Sequence, residues 1–147
     1  MTTDEAIQVT IIDKLKASIV ANDMVATSAL LNSVRYEKKE AFGQIEYDII
    51  ALDYIVGLND GIAAGETPYP TIENIQIWID AKGLNLNPYA VRNSIIANGT
   101  TWHRQGGSDV VTDNINEQAF NEVINLSKEE IKQNITKQWQ LLFKNNR

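Results

Sequence analysis

The sequence predicts an α+β domain, in which several helices pack on a small antiparallel sheet and long helices occupy both ends of the chain. Three observations lead to this prediction. Apolar residues recur at helical spacing near both termini, residues 34–52 alternate around a glycine turn, and two short capped helices occupy the middle. The 147 residues suit one domain spanning 1–147, and no internal repeat is apparent.

The first helix is marked by its start signal. Thr2 and Glu5 form a capping-box pattern ahead of an apolar series. A short second helix is predicted from Val25 to Leu31. The apolar series indicates an amphipathic helix over about residues 4–21, and its members at four-residue spacing are Ile7, Ile11, Leu15 and Ile19.

A β-hairpin is predicted next. The segment VRYEKKEAF alternates loosely, Gly43-Gln44 offers a turn, and IEYDIIAL follows. Residues 53–58 fit either a strand or a short helix, and residues 59–70, which contain glycine and proline, are expected to form a long loop. The residues expected on one half-buried face of the second strand are Ile45, Tyr47 and Ile49.

Two compact helices with clear end signals come after this loop. Thr71 caps the first and Gly83 ends it. Asn87 caps the second, Pro88 takes its first position and Gly99 ends it. Their inward-facing residues are predicted to be Ile72, Ile75 and Ile79, then Val91 and Ile95.

The last third of the chain is predicted to be a polar loop and a long helix. The loop covers residues 100–113, with a short strand at Val110-Val111. The helix runs from about Asn116 for about 28 residues, or about 40 Å, with an interruption near Ser127. A helix that long cannot bury its whole apolar face on so small a domain, so its end should project or pack on a neighbouring copy. Its apolar residues are Phe120, Ile124, Ile131, Ile135 and Leu142.

Composition excludes several kinds of chemistry. Because the chain has no cysteine, it has no disulfide, thiolate zinc site, iron–sulfur cluster or cysteine nucleophile. His103 is the sole histidine, so a multi-histidine metal site is impossible and any Ser-His-Asp triad must use it. No secretory signal and no apolar run of about 18 residues is visible, so we expect a soluble protein made in the cytoplasm.

The net charge of −6 is unevenly placed. Residues 1–66 hold eleven acids and five bases, residues 67–115 carry a net −1, and residues 116–147 carry a net +1. Because lysine and arginine contacts to phosphate supply most non-specific affinity for nucleic acid, this acidic body disfavours broad DNA binding.

Three pairs of neighbouring carboxylates could in principle act together. Adjacent lysines make solvated charge the simpler interpretation for two of them, and the third lacks the spacing of an EF-hand calcium loop. No P-loop or dinucleotide fingerprint is present, and Gly106-Gly107-Ser108 only superficially resembles a phosphate-binding nest. We therefore expect no catalytic residue, cofactor or metal. The pairs are Glu37 with Glu40, Asp109 with Asp113, and Glu129 with Glu130.

Several segments, in their order along the chain, resemble the tail-completion and head–tail joining (neck) proteins of tailed bacteriophages over about residues 25–125. One departure is the loop Gly61-Ile62-Ala63-Ala64-Gly65, where that family commonly has a Gly-Arg-x-Pro-Gly loop. The segments are TSALLNSVRYE, DYIVGLNDG, PTIENIQIWIDAKGL from Pro70 to Leu84, YAVRNSIIANGT, and RQGGSDVV from Arg104 to Val111.

The resemblance implies an α+β domain assembled as a homo-oligomeric ring at the portal-to-tail junction of a virion, put together in the host cytoplasm. The implied partners are portal or adaptor proteins and tail proteins, with no membrane and no reaction to catalyse. DNA would pass nearby without being specifically bound.

Exposed aromatic residues are enriched at interface hot spots, so Trp102 and Trp139 are interface candidates, whereas Trp78 is expected in the core. The full predicted interface set is Trp102, His103, Arg104, Asp109 and Trp139. Two alternatives stay open. One is a small DNA-binding regulator that uses the helix pair 71–82 and 87–98, and the other is a hydrolase that uses His103.

Overall fold

A computed structural model of the protein describes residues 1–23, 28–53, 55–66 and 69–145. In this part of the chain two strands pair as an antiparallel sheet and the other regular elements are helical, which confirms the predicted α+β class. The elements are α1 (Thr3–Ile7), a π-helical segment (Gln8–Ile12), α2 (Asp13–Ala21), α3 (Ser28–Ser33), β1 (Arg35–Ala41), β2 (Gln44–Ile50), α4 (Ile55–Asp60), α5 (Ile72–Ala81), α6 (Pro88–Asn98), α7 (Thr101–Arg104) and α8 (Glu117–Asn145).

The long N-terminal helix is present as one continuous run of α1, the π-helical segment and α2. The capping box forms as expected: the Glu5 amide donates to the Thr2 hydroxyl, and the Thr2 amide donates to the Glu5 carboxylate. The wider π turn is not predicted from the spacing, and it coincides with three consecutive buried residues, 10–12. The buried residues of the whole run are Ala6, Ile7, Thr10, Ile11, Ile12, Leu15 and Ile19.

The C-terminal helix α8 is 29 residues long and packs on α1 through its first half. Its buried residues are Ala119, Val123 and Ser127, which are spaced four apart and share one face. The predicted interruption near Ser127 is wrong. The Ser127 hydroxyl donates to the Val123 carbonyl at 2.7 Å, so a buried serine is satisfied inside the helix.

The hairpin is confirmed with its turn shifted by one residue. Arg35 pairs with Ile50 and Ala41 pairs with Gln44, so the two-residue turn is Phe42-Gly43, and both turn residues have positive φ. On the predicted half-buried face, Tyr47 and Ile49 pack against the core. Ile45 lies near the exposed tip and keeps about half of its surface in solvent, so that part of the prediction is wrong.

The main core lies between the N-terminal helical run, the hairpin and the first half of α8, and it also takes in Leu30, Val34 and Val110. The predicted helix over residues 25–31 corresponds to α3, which extends to Ser33, and residues 25–27 lie outside the described residues. In the ambiguous segment at residues 53–58, residues 55–58 are helical, because α4 covers them and continues to Asp60, and residue 54 lies outside the described residues.

The helices α5 and α6 pack on each other outside the main core. Their predicted start signals are confirmed: the Asn74 amide donates to the Thr71 hydroxyl, and the Tyr89 and Ala90 amides donate to the Asn87 side chain. Ile75 and Ile79 are buried, whereas Trp78 is exposed rather than in the core. The correction follows from geometry, because Trp78 lies one position before Ile79 and so points about 100° away from it. Ile72, Val91 and Ile95 are half-buried.

Glu130 in the middle of α8 is tied to the start of α1. Its carboxylate accepts hydrogen bonds from the Thr3 amide at 2.5 Å and the Thr3 hydroxyl at 2.6 Å. These bonds favour the ionised form and lower the pKa of Glu130. The contact therefore satisfies an amide at the helix start that has no partner within the helix.

We expect Glu130→Gln to lower the free energy of unfolding at pH 7 by about 1 kcal/mol or less, because solvent screens a partly exposed pair. A pKa lowered on folding stabilises the protein above the unfolded-state pKa, and this contribution is lost as the pH falls through the folded-state pKa. The difference between the wild-type chain and the variant should therefore shrink in acid. Urea unfolding at pH 7 and in acid measures it, with Glu129→Gln as the control on the same helix. An equal loss in both variants would contradict the assignment.

Candidate functional site

Four of the five predicted interface residues lie at one place, where α4 meets α7 and the turns that follow it. This α4–α7 junction consists of residues 57–61 and 100–112. The predicted polar loop begins there as the short helix α7, capped by the Thr100 hydroxyl, and the predicted strand at residues 110–111 is a set of turns instead. His103, Arg104 and Asp109 are exposed, whereas Trp102 is half-buried and packs against the core.

Asn59 organises this junction and is buried, with 7% of its surface exposed. Its side-chain oxygen accepts hydrogen bonds from the amides of Val111 at 2.8 Å and Thr112 at 3.2 Å. Its backbone carbonyl accepts from the amides of Ser108 at 2.8 Å and Asp109 at 3.2 Å. One residue at the end of α4 thus satisfies four amides of the turns that carry Asp109. From the sequence, Asn59 was expected in a loop. The one signal of this role was that asparagine side chains commonly form hydrogen bonds with backbone groups.

Asn59→Ala should lower the free energy of unfolding by about 2 kcal/mol, because two amides lose their acceptor and one of them, on Val111, is partly buried. Thermal unfolding of the variant measures the loss. Asn93→Ala, at an exposed position of α6, is the control and should change stability by about 0.5 kcal/mol or less. Equal effects of the two substitutions would show that the turns of the junction do not depend on Asn59.

The glycine-rich turn does not form a phosphate-binding nest. The Gly106 amide donates to the His103 carbonyl at 3.0 Å, the Gly107 amide to the Trp102 carbonyl at 2.7 Å, and the Ser108 amide to Asn59. A nest needs free amide hydrogens that point at an anion. Here all three are used within the junction.

Acid–base and metal chemistry find little support in the described residues. No group of three or more His, Asp or Glu residues there could hold a metal ion. The Asp109 backbone carbonyl accepts from the Asp113 amide at 2.8 Å, so these two residues close a turn. Within residues 1–23, 28–53, 55–66 and 69–145, the ring of His103 has no hydrogen-bond partner, whereas a triad histidine needs a nucleophile on one side and a carboxylate on the other.

The helix pair α5–α6 uses its cations in contacts within the chain. The Arg92 side chain donates to the Pro70 carbonyl at 3.3 Å and lies over the ring of Tyr69, 5.9 Å from its centroid. The Lys82 ammonium pairs with the Asp23 carboxylate at 2.8 Å. A recognition helix should present such groups to bases and phosphates, so this arrangement does not favour the DNA-binding alternative.

The fifth predicted residue, Trp139, is far along α8 and 58% exposed. It belongs to an apolar line that the core leaves uncovered, called here the α8 stripe. The distal half of α8 is also exposed on a second, polar side. A shallow depression of about 370 Å³ lies there and is lined by polar residues between Glu129 and Gln140. Trp139 stacks on Phe143 with ring centroids 5.9 Å apart. The members of the α8 stripe are Phe120, Ile124, Ile131, Ile135, Trp139 and Leu142.

The α8 stripe consists of the apolar series that the sequence assigned to the helix together with Trp139, but it is not the face that the core buries. In the first half, each stripe residue follows a buried residue by one position, Phe120 after Ala119 and Ile124 after Val123. One position turns a helix by about 100°. The end of the helix projects from the body of the described chain, as one of the two predicted alternatives stated. Exposed members of the α8 stripe lie in both halves of the helix, with the half-buried Ile131 between them.

Comparison with known proteins identifies no relative: no family model matches the chain, and no curated protein or solved structure matches it significantly. Within the described residues, no helix is both long and apolar enough to cross a lipid bilayer.

Proposed function

We propose that the protein is a structural component of a tailed-phage virion, of the head–tail connector or tail-completion type, and that it acts through protein–protein interfaces in a ring rather than by catalysis. The observation that carries the proposal is the α8 stripe. Five of its six large side chains are between 50% and 61% exposed. A long exposed apolar surface marks an interaction site, since soluble chains rarely leave one uncovered.

Two further features support this role. The sequence segments between residues 25 and 125, in their order along the chain, resemble those of neck proteins. The described residues contain no metal cluster, and within them the ring of the one histidine has no hydrogen-bond partner. The net charge of −6, concentrated in residues 1–66, would let DNA pass a channel without being held by phosphate contacts. Portal or adaptor proteins and tail proteins are the proposed partners.

The test is reconstitution with the portal and adaptor proteins encoded by neighbouring genes. We expect the chain to join their complex, to appear as a ring by electron microscopy, and to be present in purified virions by mass spectrometry. The double substitution Ile135→Glu with Leu142→Glu should abolish joining. Gln133→Glu with Gln140→Glu adds the same charges on another face of α8 and should leave it intact. A chain that ignores the complex and is absent from virions would rule the proposal out.

A further inference from the structure

The two halves of α8 differ in charge. Residues 117–130 contain four glutamates and one lysine, a net charge of −3. Residues 131–145 contain three lysines and no carboxylate, a net charge of +3. The α8 stripe crosses both halves, with Phe120 and Ile124 in the acidic half and Ile135, Trp139 and Leu142 in the basic half.

We propose that two copies of the chain pair through their α8 stripes in antiparallel orientation, as a homodimer with its two-fold axis near Ile131. In an antiparallel pair centred on Ile131, the residue numbers of any two facing positions add up to twice 131. Phe120 then faces Leu142, Ile124 faces position 138 beside Trp139, and Ile131 faces itself. The members of the α8 stripe are separated by three, four or seven residues, the spacing that keeps side chains on one face of a helix and lets helices pack along a common seam.

Charge decides the orientation. An antiparallel pair sets the acidic half of each helix against the basic half of the other, whereas a parallel pair sets like charges together. Two of the four glutamates also have partners within the chain, because Glu122 pairs with Lys14 and Glu130 accepts from Thr3. Glu117 and Glu129 are the glutamates of the acidic half that remain for the partner's lysines. Paired helices have their axes about 8–10 Å apart, close to the distance over which salt screens charge, so the attraction acts across the interface. A two-fold contact between identical surfaces is also the commonest way in which a chain forms a dimer.

A membrane surface is the competing occupant, because the basic half carries lysines beside Trp139 and Phe143. Two observations favour the second copy. The α8 stripe continues into the acidic half through Phe120 and Ile124, and an anionic bilayer would repel both that half and the acidic body. The pairing goes beyond the proposed function and does not rest on it, since a free chain needs its stripe covered whether or not it later joins a virion.

Light scattering of the purified full chain over a concentration series is the first measurement. We expect a dimer whose dissociation constant rises at least about tenfold in Ile135→Glu and by less than about threefold in Gln133→Glu, which lowers the charge of the basic half equally but lies off the α8 stripe. High salt should weaken the dimer, because it screens the charge match. Circular dichroism verifies that both variants fold. A wild-type chain that stays monomeric up to its solubility limit would overturn the proposal.

Disulfide trapping tests the orientation of the two helices. Because the chain has no cysteine, each introduced cysteine is the sole thiol that can form a disulfide. Oxidising a mixture of Phe120→Cys and Leu142→Cys should give the mixed disulfide, because these positions face each other in the antiparallel pair. A dominant Leu142→Cys homodimer would instead indicate parallel pairing and reject the proposed geometry. The last measurement is binding to vesicles of anionic lipid. A chain that stays monomeric and binds these vesicles through α8 would show that the α8 stripe contacts membranes, and would reject the dimer. Dimer formation is measured on the chain alone, and binding to the portal complex is measured by reconstitution. Either result can be negative without the other, so the two proposals are tested independently.

Discussion

Gly61→Ala is expected to lower the free energy of unfolding by about 4 kcal/mol. The backbone of Gly61 has φ +74°, a conformation that costs residues with a side chain about 1–2 kcal/mol. A Cβ atom at this position would also lie 2.2 Å from the amide nitrogen and 2.6 Å from the Cα atom of His103. Both atoms belong to the backbone of α7, so the clash can be relieved only by opening the α4–α7 junction.

The chain offers a matched control in Gly65→Ala. Gly65 has nearly the same φ, +75°, but no atom of the part of the chain that the structure describes lies within 4 Å of the added Cβ. This variant should lose only about 1 kcal/mol, the cost of the backbone conformation alone. Urea unfolding of both variants measures the difference, which isolates the close approach of the two backbones. Equal losses would mean that α4 and α7 do not approach this closely at Gly61.

The same glycine also links the loop at residues 61–65 to α7. Its first residue supports α7, which carries His103 and Arg104. Gly99 makes a comparable approach from the end of α6, where an added Cβ would lie 2.6 Å from the Ile62 carbonyl oxygen. The start of α7 therefore follows Gly99, which packs against the loop, and its end packs against Gly61. The turns after α7 are bonded to Asn59. The exposed His103 and Arg104 therefore lie on a helix against which Gly61 packs closely.

Local signals were enough to predict the ends of several helices. The capping box at Thr2 and the caps at Thr71 and Asn87 act within three residues, so they can be recognised without knowing the fold. The hairpin was predictable for the same reason, because alternation and a glycine turn are local. Its turn shifted by one residue because Phe42 adopts a positive φ, which is uncommon for a residue with a side chain.

Features that depend on distant contacts could not be predicted. Asn59 is important because residues 108–112 fold back onto the end of α4, and no pattern near Asn59 announces that contact. The face of α8 is a second example. Periodicity identified the apolar line from Phe120 to Leu142, but the core took the neighbouring line of smaller residues. Small side chains let α8 approach α1 closely and leave the larger ones outside, which is why a correct helix prediction gave the wrong buried face.

The N-terminal helical run carries more of the core than any other segment of the described chain, so truncating it should be costly. Leu15 is 1% exposed and packs in the main core with Ile11 and Ile19. Leu15→Ala removes a buried side chain and leaves a cavity, which should lower the free energy of unfolding by about 3 kcal/mol. For a chain of this length the melting temperature should fall by roughly 6–12 °C. Since small domains are stable by only about 5–15 kcal/mol, the loss is a large share of the total.

Leu141→Ala is the control, because it makes the same chemical change inside a helix and therefore the same change in helix propensity. Leu141 is 52% exposed and lies outside the α8 stripe, so its removal creates no cavity and does not weaken the proposed dimer. We expect a change of about 0.5 kcal/mol or less. The contrast separates burial from propensity as the source of stability. If the two variants melted together, burial in the N-terminal run would not be the source of the stability, and that run would not be the centre of the core.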